Sequence, residues 1–565
     1  MIRNFSSLSL MSLMSFSLLG ATVAAKEPSK AEAVSTTKGV VVCVSPVAAE
    51  VGVQILRDGG NAVDAAIAVG FAQAVTWPEA GNIGGGGFML IWPGRSDEPI
   101  VIDYRETAPA SATADLLARD ADPLTLRAAG VPGTVRGMAL AHQKFGSRSW
   151  KDLVMPAVRL AEGGFTVTPA LARSLNQVLN SDKTTNQELR RCYGKPGGGL
   201  WQAGDTLILP DLGKTLRKIA EDGPDAFYTG TIAELLVAEM KAGNGLITAT
   251  DLQKYQAKVR KPIHGQYRGY DLITVAPPSG GGIVLVESLN ILENFRLAEY
   301  PRNDPRTVHR IAESLRRAYA DRARYLGDPD FTTIPAKLTE KSYAQELAAT
   351  IRADRATPSE AVAPDIPLSD SGGETTHYSI VDRHGMAVAN TYTLENSWGN
   401  RIVVRGAGYV LNNEMTDFNH RPGHTDRSGR IGTLPNQIAP GKRMLSSQCP
   451  TILLNNGQPI LVTGSPGGRT IPNTVLSIII HVVDYGMSVP EAISAPRIHH
   501  QWFPDEIQHE ETEDFPRLKA GLEALGHKVK SSRFQGDAHS VGIDARTGVH
   551  TGVADRRIEG KAVAE

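Results

Sequence analysis

Three cysteines in 565 residues, Cys43, Cys192 and Cys449, are too few and too far apart to staple a fold. No two have the spacing of a metal-ligand or redox pair, and the sequence does not choose which of them, if any, would join. The chain also lacks an excess of charge. Its 59 Lys and Arg offset 60 Asp and Glu, a formal net charge of -1 at pH 7, which removes the electrostatic footprint of nucleic-acid binding or of an anionic membrane. No internal repeat is visible. Four consecutive glycines, Gly84 to Gly87, invite a phosphate-loop reading. No Gly-Lys-Ser/Thr follows them, however, and strand-like residues come next where a nucleotide fold needs a helix. Glycines here instead let backbone approach backbone, or a ligand, at close range.

What is present is ordinary globular material, 41% hydrophobic and 21% charged, enough for several domains or one large layered one. Residues 1–25 stand apart. Arg3, the Leu-, Met-, Phe- and Ser-rich stretch Phe5 to Leu19 and the small residues Val23-Ala24-Ala25 form a secretory signal pattern. The mature chain would start near Lys26 in a periplasm or outside the cell, with no membrane association after signal removal.

Gly39 to Ser45 reads as a buried strand, and Ala48 to Gln73 as helix interrupted at Gly59-Gly60-Asn61. Strand Ile100 to Tyr104 delivers Arg105 to a Pro-containing turn, where its guanidinium could fork onto a carboxylate or serve a structural ion pair. Helical patterns dominate from Ala129 to about Tyr255. Tyr270 to Val275 returns to strand, and a helix follows to about Glu293. Pro305 to Tyr325 reads as a long helix whose alternating Arg and Ala suggest a solvated face. Residues 358–373, rich in Pro, Asp and Ser, form the best linker. Beyond it, Tyr378 to Asp382 and Met386 to Leu394 read as a hairpin. Strands are expected at Ile402–Val404, Pro450–Leu454 and Pro459–Val462, with a helix from about Pro472 to Tyr485. Strands and helices in blocks point to an α+β fold. At the linker's end stands Gly373-Glu374-Thr375-Thr376-His377-Tyr378. Thr375 there is either the first residue of a strand or a nucleophile exposed by chain cleavage before it.

Several segments together resemble the γ-glutamyltranspeptidase family, in its order and over essentially the whole mature chain. They are Gly81 to Leu90, Arg105 to Ala110, Thr375 to Ser379, Leu411 to Phe418, Leu445 to Ser447, Thr463 to Gly468 and Ala495 to Trp502. The resemblance implies an N-terminal-nucleophile hydrolase fold, an αββα four-layer sandwich. Its precursor would cut itself at Glu374–Thr375 into a large subunit, 26–374, and a small catalytic one, 375–565, which stay associated. No cofactor or metal is implied. Thr375 would attack, its freed α-amine (ordinary pKa about 7.7–8.0) acting as base. Thr393 would orient that amine. Gly467 and Gly468 would form the oxyanion hole. Arg105, Ser446 and Ser447 would hold the substrate α-carboxylate, and Glu395, Glu414 and Asp417 its α-ammonium.

Two departures stand out. Bacterial relatives carry asparagine where this chain has Glu395. The lid, about Pro422 to Lys442, places Ser428 where those relatives have a tyrosine that latches onto that asparagine. An unlatched, more open site with more hydrolysis relative to transfer is therefore expected. His499-His500 lacks a third ligand at metal spacing and reads as structural. His377, facing away from Thr376 on a strand, reads as a packing or hydrogen-bonding residue. The implied activity is hydrolysis or transfer of γ-glutamyl amides such as glutathione. The alternatives are a glutaryl (cephalosporin) acylase or polyglutamate-processing relative on the same fold, or a secreted binding protein that never cuts.

Overall fold

The computed structural model describes residues 31–94, 97–119, 122–366 and 376–565. The signal segment, the end of the linker and the Glu374–Thr375 junction lie outside the described residues.

Two seven-stranded sheets organise the described chain. One runs Lys561–Ala564, Val40–Cys43, Thr376–Val381, Ala387–Thr393, Gly86–Trp92, Ile100–Asp103, Lys258–Arg260. The other runs Glu32–Thr36, Val549–Ala554, His539–Asp544, Gln458–Thr463, Thr451–Asn455, Tyr270–Thr274, Ile263–Tyr267. Each sheet interleaves strands from both sides of the linker, so neither side could close its sheet alone. The two inner faces meet in a dry layer of Val40, Val42, Phe88, Leu90, Ile273, Ile452, Val462 and Val541, all essentially inaccessible. Helices cover both outer faces. Ala62–Thr76, buried on every side, backs the first sheet. Gly281–Leu292, Pro305–Tyr325 and Ile471–Val483 back the second. Helix, sheet, sheet, helix is the expected αββα arrangement.

Local chemistry sets the boundaries. The Ser45 side chain accepts from Ala48 N to start helix Pro46–Arg57, and Gly59 at φ 87° ends it. Asn61 and Asp64 then form a capping box that starts Ala62–Thr76. The glycine run is explained by backbone crowding. A Cβ at Gly85 would stand 2.1 Å from the Thr393 carbonyl oxygen, and one at Gly87 would stand 2.3 Å from that of Thr391. The three cysteines are free thiols.

Two expectations are corrected. Helix Pro305–Tyr325 has the expected bounds but no solvated Arg face, because every residue from Ile311 to Ala323 is buried. Arg316 pairs with Glu313 and Asp505, and Arg317 with Glu313, so the charges are neutralised inside the protein. Ile402–Val404 is not a strand. Only Val403 bridges to Val410, in a stretch of tight turns where Trp398 and Arg401 adopt positive φ. Among the described residues no helix is long and apolar enough to cross a membrane.

Candidate functional site

A cavity of about 220 Å³ opens where the strand ends, the lid and the Gly467-Gly468 turn converge. Arg105, Glu395, Asp417, Ser446, Ser447 and Gly468 line it. Arg105 follows strand Ile100–Asp103 and is 1% exposed. Its guanidinium pairs with Glu414 and Asp417, and its Nε donates to the Met444 carbonyl at 3.3 Å. Burial opposes the Arg105 charge, but Glu414, Asp417, Glu106 and Glu395 together outweigh it and hold the pKa above its ordinary value. Glu414 is fully buried and sits behind Arg105, whereas Asp417, 31% exposed, faces the cavity.

Asparagines fix this geometry. Asn412 donates to the Gly84 and Gly130 carbonyls and accepts from Glu414 N at 3.0 Å, which anchors the short helical turn Glu414–Asp417. Asn413 Oδ1 accepts from Asn396 N, tying in the segment that follows Glu395. Glu395 itself has φ 76°, a strained setting for a side-chain-bearing residue, and its N–H donates to Thr393 Oγ1 at 2.8 Å. Thr393 ends strand Ala387–Thr393, paired with Gly86, and its carbonyl accepts from Asn82. One oxygen from each of Glu395, Glu414 and Asp417 lies within 4.8 Å of the others. Such crowding perturbs ionisation. Burial first, then Asp417, pushes the Glu395 carboxyl well above the usual range, while Arg105 and Arg469 pull it back. Burial, opposed by Arg105, pushes Glu106 up to about 8.

The Gly467-Gly468 turn precedes helix Ile471–Val483. Both residues adopt positive φ, 127° and 55°. Thr470 donates to the Gly467 carbonyl through its N–H at 3.0 Å and its hydroxyl at 2.9 Å. With that carbonyl tied down, the Gly468 N–H of the same planar peptide points the opposite way. A side chain at 467 would collide with Thr470 Oγ1 at 2.4 Å. Gly468 lines the cavity.

Thr376, the first described residue of its strand, pairs with Tyr392. It lines a cavity of about 30 Å³ with Glu395, Asn396, Pro466 and Asp537, adjoining the larger one through Glu395 and Asn396. His377 is buried, hydrogen-bonded to Thr391 Oγ1 at 2.7 Å and Ser379 Oγ at 3.1 Å. Burial and His539 hold it well below the usual histidine value. His499 bonds to Gln501 at 2.9 Å.

Sequence reasoning missed three cavity-lining arginines, Arg322, Arg430 and Arg469. Arg469 changes the picture of the lid. Its guanidinium donates to the Gly429 carbonyl at the lid tip, and Asp426 Oδ1 organises that tip by accepting from the N–H groups of Ser428, Gly429 and Arg430. Ser428 offers no tyrosine latch, yet the lid has a tie of another kind. The signal available in sequence was an arginine directly after the glycine pair.

A family model described as gamma-glutamyltranspeptidase matches residues 48–565. A protein of Escherichia coli (strain K12) named glutathione hydrolase proenzyme is 45% identical over 516 residues, covering 90% of this chain and 88% of its own. The acylase ACY 1 proenzyme of Pseudomonas sp. (strain SE83) is 34% identical over 550 residues, 94% of each chain. Among solved structures, cephalosporin acylase from Bacillus halodurans superposes with a TM-score of 0.84 at 26% identity, over 98% of this chain and 99% of that one.

Proposed function

The chain belongs to the γ-glutamyltranspeptidase family, and on that premise we propose how it works as a self-processing γ-glutamyl hydrolase and transferase. Its substrates are γ-glutamyl amides such as glutathione. The precursor cuts itself between Glu374 and Thr375. The products are a large subunit, 26–374, and a small one, 375–565, held together by the sheets they share. Residues 1–25 direct export to a periplasm or the medium.

In the processed enzyme the α-amine of Thr375 takes the hydroxyl proton as Thr375 Oγ attacks the γ-carbonyl of the donor. Thr393 orients that amine. The carbonyl oxygen becomes an oxyanion held by the N–H groups of Gly467 and Gly468, a type of contact worth about 3 kcal/mol per donor. The amide C–N bond breaks, the proton passes to the leaving amine, and a γ-glutamyl-Thr375 ester remains. Water or an acceptor amine then attacks the ester, loses its proton to the α-amine, and releases Thr375.

One observation carries the choice of donor. Glu395, Glu414 and Asp417 crowd around the guanidinium of Arg105. A ligand bearing both a carboxylate and an ammonium satisfies both signs at once. Its carboxylate takes Arg105, Ser446 and Ser447, and its ammonium takes the acids. A glutaryl group has no ammonium and would leave these carboxylates crowded. Likeness to acylases keeps that second reading testable. Processed enzyme assayed side by side should turn over γ-glutamyl-p-nitroanilide at least about 100-fold more efficiently than glutaryl-7-aminocephalosporanic acid, the loss expected for unpaired buried charge. The reverse ranking overturns the assignment.

Glu395 adds a pH signature. A carboxyl whose folded pKa is raised favours the folded state most below its unfolded value, about 4.3, and that contribution erodes as pH rises toward the folded pKa. An arriving ammonium works in the opposite sense, because it favours the ionised carboxyl. KM for the γ-glutamyl donor should therefore fall as pH rises toward the raised pKa of Glu395 in the folded enzyme, and Glu395→Gln should flatten the slope. An identical slope in the variant would rule Glu395 out as its source.

A further inference from the structure

Arg322 lies in the last turn of helix Pro305–Tyr325, 7% exposed, on the wall of the main cavity. No ion pair to a described carboxylate neutralises it, unlike Arg316 and Arg317 on the same helix. Its Nη2 donates to Ser447 Oγ at 2.9 Å and reaches the Ser446 carbonyl at 3.5 Å, while its Nε is buried with no hydrogen-bond partner. The Ser446 carbonyl also accepts from Gly280 N at 2.8 Å. Gly280 leaves room for the guanidinium, since a Cβ there would stand 3.2 Å from Arg322 Nε. Burying an unpaired cation is expensive, so its presence in a cavity wall asks for an anion.

The hydroxyls give the direction. A serine hydroxyl has one proton, and a guanidinium can only donate. Ser447 Oγ is therefore the acceptor toward Arg322, and its own proton is left for another partner. Ser446 Oγ likewise accepts from Gln448 N at 3.0 Å. Both oxygens are occupied from behind, so both hydroxyls are set to donate into the cavity they line. Arg105, meanwhile, shares its charge with Glu414 and Asp417.

We propose that Arg322 is a positioning residue of the donor-carboxylate pocket: it turns the Ser447 hydroxyl toward the ligand carboxylate and adds a second cation beside Arg105, whose charge is shared with Glu414 and Asp417. This rests on the γ-glutamyl reading. It predicts that affinity for the α-carboxylate depends on a residue about 125 positions upstream of the serines it serves. Burial, with Arg469 adding to it, lowers Arg322 to about 10, which still leaves it charged at neutral pH.

The test compares γ-glutamyl-p-nitroanilide with 4-aminobutyryl-p-nitroanilide, the same donor without its α-carboxylate, on processed enzyme. Arg322→Met should raise KM for the first about 30-fold, the value of a charge-assisted hydrogen bond, with kcat changed less than about threefold. It should leave kcat/KM for the second nearly unchanged. Arg322→Lys, which keeps the charge but not the fork, should fall between. Ser447→Ala should show the same carboxylate-restricted rise in KM, and adding Arg322→Lys to it should cost less than in the wild-type background. Should Arg322→Met fail to fold or process, the lysine and serine variants decide alone. Equal losses on both donors, or full additivity of the two substitutions, overturn the proposal. Wild-type enzyme that turns over neither donor defeats the γ-glutamyl reading itself, a different outcome from indiscriminate variants of an active enzyme.

Discussion

Thr375→Ala should yield one full-length band on a denaturing gel where the wild type gives two, and should lower γ-glutamyl hydrolysis by at least about 10⁴-fold. The size follows from what the substitution removes. The hydroxyl is both the group that cuts the precursor and the group that attacks the donor. In an uncut precursor the nitrogen of residue 375 is an amide with no basic lone pair, so nucleophile and base disappear together. A loss of 10⁴ corresponds to about 5.4 kcal/mol of activation free energy. Thr375→Ser, which keeps the oxygen, should cut slowly and recover part of the activity. Thermal unfolding should hardly change, because the described layer between the two sheets keeps every one of its side chains. A Thr375→Ala protein that still cuts, or that stays whole and active, would remove Thr375 from the mechanism.

Much of this site was legible because its residues sit in short local motifs. Gly467 and Gly468 announce a positive-φ turn by being glycine. Asn412 to Asp417 is a contiguous run whose asparagines tie the acids down. Residues acting across the fold were not legible. Helix Pro305–Tyr325 carries enough Arg to pass for a solvated element, and periodicity cannot reveal that both its faces are covered. Arg316 finds Asp505 and Arg322 finds Ser447, each more than a hundred residues away. The lid tie was hidden for the same reason. The departures from the latch lie at Ser428 and Glu395, while the bond that ties the lid runs from Arg469, far along the chain, to the Gly429 carbonyl. Ile402–Val404 failed in the opposite sense. Its β-branched residues have strand propensity, but the surrounding positive-φ turns at Trp398 and Arg401 give it one bridge and no ladder.

Arg105 is where stability and binding can be separated. Arg105→Gln should destabilise the processed enzyme by about 3–5 kcal/mol and lower its Tm by roughly 5 °C, because Glu414 and Asp417 lose their shared cation inside the protein. Glu414, already held above the usual carboxylate range by burial, can relieve part of that cost by taking up a proton, so the deficit should shrink as pH falls and grow as pH rises. KM for a γ-glutamyl donor should increase about 100-fold or more, the cost of leaving the ligand carboxylate without its fork. Arg105→Lys divides the two effects. A lysine ammonium still neutralises the buried acids, so most of the stability should return. It cannot present parallel N–H groups to Met444, the acids and a ligand together, so KM should stay high. Coincident recovery of Tm and KM in the lysine variant would mean that charge alone is needed at this position. Recovery of neither would mean that the buried acids require the forked shape of arginine as much as the substrate does.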